Sequence, residues 1–186
     1  MNTSSTSNEH FKARVKDFFA SRKRFFVRAI IVFLVFGSAI AYANERFILG
    51  LDPQGEHRCL PWVFYVIDTH QTSITKDQYF AYSAMGMEPI VENGHIALKK
   101  AAGAPGDQVV IEQARTWVEG MAQPNSHLMI APAIEHLYES KEALMREIVI
   151  PEGEIFALGT LEGSYDSRYW GNVKEEQVIG RAFPIF

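Results

Sequence analysis

Cysteine is almost absent from this chain: among 186 residues only Cys59 carries a thiol. One cysteine excludes an internal disulfide, and with six dispersed histidines it leaves no cysteine-based metal site of recognisable spacing. Basic charge is scarce over most of the length. Residues 1–28 hold seven Lys and Arg against Glu9 and Asp17, a balance of +5; the total is −4, so residues 29–186 carry −9. An acidic body with no basic patch argues against nucleic acid as partner. No internal repeat is present. The rest of the composition is that of a globular protein, long enough for one domain plus extras.

The basic end leads into the membrane. Residues 1–10 are polar and rich in Ser, Thr and Asn, which predicts a disordered leader. Residues 11–28 interleave basic side chains with phenylalanines, as an amphipathic helix on a cytoplasmic membrane surface would. Residues 29–43 carry no charge. With 25–27 and a snorkelling Arg28 the apolar length reaches about 19 residues, enough for one spanning helix. Basic residues precede it, so the positive-inside rule puts segment 1–28 in the cytoplasm and the body, 44–186, outside it. A cleaved signal peptide is the rival reading, because Ala41-Tyr42-Ala43 makes a small-x-small site. The long polar leader favours an uncleaved anchor, and either way the body is exported.

The body reads as mainly β. Strands are expected over 62–68, 78–83, 95–101, 109–113, 115–119, 148–150 and 154–158, from β-branched and aromatic runs bounded by turn residues. Glu119-Gly120 and Pro151-Glu152-Gly153 read as turns. One short helix is expected over 133–146, where Ile134, Leu137, Tyr138, Ala143 and Leu144 form a weak apolar stripe.

Three stretches carry chemistry. In Gly94-His-Ile-Ala-Leu-Lys99-Lys100-Ala-Ala-Gly103-Ala-Pro105-Gly106-Asp107, alternation puts Lys99 on a face with Ala97 and Ala101. An amine among small alanines is partly desolvated, which disfavours the ammonium and suits a general base. Two solvated lysines at a strand end are the plainer reading. The second stretch is Arg58-Cys59-Leu60-Pro61-Trp62-Val63-Phe64-Tyr65, a thiol before a proline-fixed bend. The third is Leu158-Gly159-Thr-Leu-Glu-Gly-Ser164-Tyr-Asp166-Ser-Arg168-Tyr-Trp-Gly171, followed by Val178-Ile-Gly180-Arg-Ala182.

Together, in this order and downstream of an apolar segment, these stretches resemble the type I signal peptidases, the serine/lysine-dyad proteases. The Ser164-to-Gly171 run closely matches that family's final box. The Lys99-to-Asp107 run looks like its Lys-Arg-x-x-Gly-x-Pro-Gly-Asp box. Cys59-Leu60-Pro61 falls where the nucleophile box begins, in a form similar to the conjugative-transfer (TraF-type) branch of pilin-maturation peptidases.

The resemblance implies an antiparallel β body of the signal-peptidase kind on one N-terminal transmembrane helix, docked against a bacterial inner membrane with the catalytic domain periplasmic. It implies Cys59 as nucleophile and Lys99 as its base. Ser164 would orient the lysine, and Asp166 with Arg168 would support the box. The Cys59 N–H would serve as an oxyanion donor. No metal or organic cofactor is implied. The implied partners are a pilin precursor, the membrane and components of a type IV secretion or conjugation apparatus.

The chain departs from the family where Cys59 replaces serine, where His57 occupies the place of a second oxyanion donor, where Val63 replaces glycine, and where Thr160 follows Gly159. A thiol beside an ammonium would rest as an ion pair and form a thioester, which amines attack in preference to water. That suits closing a cyclic pilin as well as trimming one. An inactive relative that binds prepilin, and a general leader peptidase, are the competing expectations.

Overall fold

A computed structural model describes residues 12, 14, 16, 18, 22–52, 55, 58–129 and 135–185. The chain divides into two compact units, Met1–Glu45 and Arg46–Phe186. The disordered leader expected over 1–10 lies outside the described residues, as do residues 11, 13, 15, 17 and 19–21 of the amphipathic segment expected over 11–28, and so does His57.

Helix α1 spans Lys23–Arg46. It extends beyond the uncharged 29–43 at both ends, taking in Phe25 to Arg28 and running through Ala41-Tyr42-Ala43. The Ser38 hydroxyl donates back to the Leu34 carbonyl at 2.8 Å, which hides its polarity within the helix. Arg46 in the last turn complements the negative end of the helix dipole. At 1.5 Å per residue the helix is about 36 Å long, against a hydrocarbon core of about 30 Å. It is long and apolar enough to cross a membrane, and none of its residues is buried.

The second unit is built from antiparallel strands. They are β1 (Phe47–Leu51), β2 (Phe64–Asp68), β3 (Tyr79–Ser83), β4 (Ile96–Gly103), β5 (Gln108–Ile111), β6 (Thr116–Val118), β7 (Met121–Ala122), β8 (Arg146–Val149), β9 (Glu154–Leu158), β10 (Val173–Lys174) and β11 (Val178–Pro184). Seven form one sheet in the order β1-β2-β11-β3-β4-β9-β10, and four form a second in the order β7-β6-β5-β8. The turns behave as their residues require. Glu119 and Gly120 both take positive φ (50° and 70°), the geometry of a tight hairpin, and Gly153 turns at 75°. Gly180 sits at a register shift in β11, where an added Cβ would come within 2.3 Å of the Asp68 carbonyl oxygen; only glycine fits.

The helix expected over 133–146 is not formed. Residues 133 and 134 lie outside the described residues, and beyond them stand two short 3-10 turns, Glu135–Leu137 and Glu142–Leu144, before β8 begins at Arg146. The Ser140 hydroxyl accepts from the Ala143 N–H, a local bond that competes with helix propagation. Leu137, Tyr138 and Leu144 still bury themselves, against a core of Val109, Val118, Ile150 and Phe156. Ala143 is exposed and Ile134 lies outside the described residues, so only part of the expected stripe packs, from an irregular segment. The α-helix of the described body is α2 (Ser167–Trp170), inside the box that ends at Gly171.

One polar cluster secures the start of the body. Asp68 is 2% exposed and accepts from Arg46 Nε (2.9 Å) and Nη2 (2.6 Å), from Gln71 Nε2 (2.7 Å) and from the His70 N–H (3.1 Å). The Arg46 bond, opposed by burial and helped by Gln71 and His70, holds this carboxyl well below the usual carboxylate range. A depressed folded-state value means a stabilisation that is present above the ordinary value of 3.8 and is lost as pH falls through the folded value. Asp68→Asn should therefore lower stability at neutral pH and flatten its acid dependence below about pH 4. Thermal melts between pH 2 and 7 check this; an acid limb unchanged in the variant refutes it.

Candidate active site

Strand β4 presents its two lysines to opposite faces. Pairing with β3 sets Phe80 opposite Lys99 and Tyr79 opposite Lys100. Lys99 thus shares a face with Ala97 and Ala101, beside the core of Phe80, Tyr82 and Ala157, and is 4% exposed. Lys100 reaches the exposed side and pairs with Asp77 at 2.7 Å.

The buried amine has a specific partner. Lys99 Nζ donates to Ser164 Oγ at 2.9 Å, with Ser164 2% exposed. Among the described residues no carboxylate forms an ion pair with Lys99. The approach depends on a missing side chain. Lys100 pairs with Leu158 across β4 and β9, so the next step of the register brings Gly159 opposite Lys99. A Cβ at Gly159 would lie 2.0 Å from Ser164 Oγ and 2.8 Å from the Cys59 carbonyl oxygen. The glycine is the slot that the serine fills.

Ser164 is held from behind by charge. Asp166, fully buried, accepts from Arg168 Nε at 2.7 Å, from Nη2 at 2.8 Å and from the Gly159 N–H at 3.0 Å. Arg168, 1% exposed, also donates to the Ser164 carbonyl (2.9 Å) and the His127 carbonyl (2.7 Å). Burial alone would lower the arginine's pKa; the Asp166 carboxylate outweighs it and the net direction is upward. Asp166 also caps α2 through the Arg168 N–H.

Cys59 is half-buried, and its carbonyl accepts from the N–H groups of Thr160 (2.9 Å) and Leu161 (3.2 Å). The loop that ends in Ser164 is therefore bonded to the backbone of Cys59. Tyr82, fully buried, has its phenol pushed well above its ordinary value, first by burial and then by the Asp166 carboxylate. Asn125, His127 and Tyr82 carried no sequence signal of a site; the turn-like Gln123-Pro124-Asn125 marks only a bend. A shallow cleft of about 350 Å³ lined by polar residues such as Arg115 and His127 and by Ala114, Ala122 and Pro124 includes neither Lys99 nor Cys59. Among the described residues no three His, Cys, Asp or Glu side chains gather as a metal site.

The arrangement can deliver or accept a proton at a buried, serine-oriented amine beside a loop that carries a thiol. A family model described as "Signal peptidase, peptidase S26" matches residues 85–186, which include Lys99, Ser164, Asp166 and Arg168 but not Cys59. A probable signal peptidase I-2 from Synechocystis sp. (strain ATCC 27184 / PCC 6803 / Kazusa) is 33% identical over 97 residues, covering 51% of this chain and 40% of that protein. A signal peptidase I from Buchnera aphidicola subsp. Acyrthosiphon pisum is 36% identical over 53 residues, 28% of this chain and 17% of its own length. The chain thus matches less than half the length of these curated relatives. The crystal structure of a signal peptidase I from Enterococcus faecalis V583 aligns with a TM-score of 0.37 at 22% identity, over 59% of this chain and 96% of that one.

Gly159→Ala should drive Ser164 off Lys99 and lower stability by about 1–3 kcal/mol, the usual cost of overpacking. A melting temperature equal to that of the parent protein would contradict the close approach.

Proposed function

We propose, from the premise that this chain belongs to the signal peptidase family, peptidase S26, that it matures a propilin for a conjugative transfer system. The observation that carries the reading is the buried Lys99 amine on the Ser164 hydroxyl, beside a loop bonded to the Cys59 backbone. In this reading α1 anchors the protein in a bacterial inner membrane. The basic segment before it stays cytoplasmic and the body is periplasmic. The pairing of β1 with β2 places Leu49, Leu51 and Phe64 on one exposed apolar face, suited to resting on lipid.

The chemistry uses a sulfur nucleophile. The Cys59 thiolate attacks the scissile carbonyl, the peptide C–N bond breaks, and Lys99 gives its proton to the leaving amine. The Cys59 N–H faces the developing oxyanion. The resulting thioester is resolved in one of two ways. Water releases a trimmed linear pilin; attack by the amino terminus of the same acyl chain forms an amide, breaks the C–S bond and releases a ring. Ser164 keeps the amine aimed, and the Asp166–Arg168 pair keeps Ser164 in place. The substrate is a membrane-inserted precursor with small residues near the cut, and components of the conjugation apparatus are its neighbours.

A second reading, a general leader peptidase, draws on the relatives named signal peptidase I and I-2. Complementation of a strain deprived of its own leader peptidase separates the two.

Co-expression with a candidate pilin followed by intact mass measurement is the direct test. A ring weighs one water less than the trimmed linear chain, and a linear product from active enzyme removes the cyclase claim. Cys59→Ala and Lys99→Ala should each abolish processing, whereas Lys100→Ala should cost much less, because Lys100 lies on the exposed face against Asp77. Processing that survives Cys59→Ala overturns the nucleophile assignment.

A further inference from the structure

Segment 125–129 of the body divides its attention by alternate residues. Ser126 and Leu128 are buried (3% and 1% exposed) and tie the segment to the second sheet. Ser126 Oγ accepts from the Thr116 N–H at 2.9 Å, and the Leu128 N–H donates to the Gln113 carbonyl at 3.0 Å. The residues between them face the loop that ends in Ser164. Asn125 Nδ2 donates to the Thr160 carbonyl at 2.9 Å. His127 Nε2 stands 3.3 Å from Glu162 Oε1, an ion pair whenever the imidazole is protonated. The Met129 Cε lies 3.0 Å from where a Cβ on Gly163 would be. Two points of the loop, Thr160 and Glu162, are thus held by two alternate side chains, with Met129 lying over Gly163.

The grip reaches the proposed nucleophile through one residue. Thr160 gives its N–H to the Cys59 carbonyl and takes the Asn125 amide on its own carbonyl, so it is strung between the two. The segment is itself pinned near the site, because the His127 carbonyl accepts from Arg168 and both backbone groups of Met129 bond the Tyr169 hydroxyl. Asn125 is exposed and His127 half-exposed, so neither contributes much to the core.

We propose that Asn125 and His127 are positioning residues, through which the second sheet holds loop 159–164 so that Ser164 stays on Lys99 and Cys59 stays beside them. This rests on the reading of Cys59 and Lys99 given above. It assigns the second sheet a part in the reaction rather than in stability alone. Asn125 has φ of +50°, a conformation that asparagine, aspartate and glycine tolerate. Asn125→Gly therefore keeps the backbone and removes the donor, and Asn125→Asp keeps the shape but offers a carboxylate with no N–H.

Because Cys59 is the sole cysteine, its alkylation by iodoacetamide reports on the site without any substrate. In full-length protein in detergent, the ratio of alkylation rates between the parent and Lys99→Met measures what the amine does for the thiol. We expect a ratio of about tenfold at pH 7, since the thiolate is the reacting form. In the Asn125→Gly and Asn125→Asp backgrounds it should fall to about twofold or less, with the melting temperature within a few degrees of parent. His127→Ala should lower it too, and His127→Gln, which retains a donor for Glu162, should recover most of it. A ratio untouched by both Asn125 variants overturns the proposal. Amide hydrogen exchange at Thr160 and Leu161 separates its failure from failure of the dyad. If Lys99→Met does not slow alkylation in the parent, the dyad reading falls. Faster exchange at those two amides in Asn125→Gly then still supports the clasp, and unchanged exchange removes it.

Discussion

The candidate site depends on a fully buried ion pair, Asp166 with Arg168. Its hydrogen bonds fan out to the start of the loop at Gly159, to the carbonyl of Ser164 and to segment 125–129 at the His127 carbonyl. Two charges taken out of water are worth little net as a source of stability. What they supply here is exactness of placement, because every oxygen of Asp166 and every nitrogen of Arg168 has a partner. Removing one member would strand the other, at a cost of about 3–5 kcal/mol. The pair therefore constrains the loop more than it strengthens the fold.

From that constraint the amine inherits its surroundings. Lys99 is buried between Ala97 and Ala101 on one face of its strand, and among the described residues its hydrogen-bond partner is a serine hydroxyl. Arg168 holds that serine through its carbonyl, and a glycine makes room for it. Lys100, one residue on, has none of this; it meets an exposed aspartate. Adjacent lysines differ in environment because a strand alternates its faces, which is a property of the backbone and not of the side chains.

How much of this could be read from residues alone follows the same logic. Alternation and β-branched runs exposed most of the strands, and the face of Lys99 came with them. Strand β1 stayed hidden because Phe-Ile-Leu-Gly-Leu shows no alternation of polar and apolar residues. Strand β11 was visible only as a motif, since Gly180, Arg181 and Pro184 interrupt its pattern. The helix expected over 133–146 failed because local hydroxyl bonding and burial of separate apolar residues defeated a weak period. Asn125 and His127 were silent in the sequence: what matters is what they touch 35 residues away, and no local spacing encodes that. Glycine at 159 carried a motif letter, but its reason, the volume taken by a serine hydroxyl, is a three-dimensional fact.

The position of β11 between β2 and β3 has a temporal meaning. Cys59 precedes β2, and Lys99 lies on β4, so within the large sheet the two halves are joined only by this late strand. A chain still emerging from the ribosome, with residues 178–184 unmade, holds its thiol and its amine on pieces that no ladder connects. Until those residues are made, β2 and β3 have no strand between them, and the large sheet closes only when β11 pairs with both.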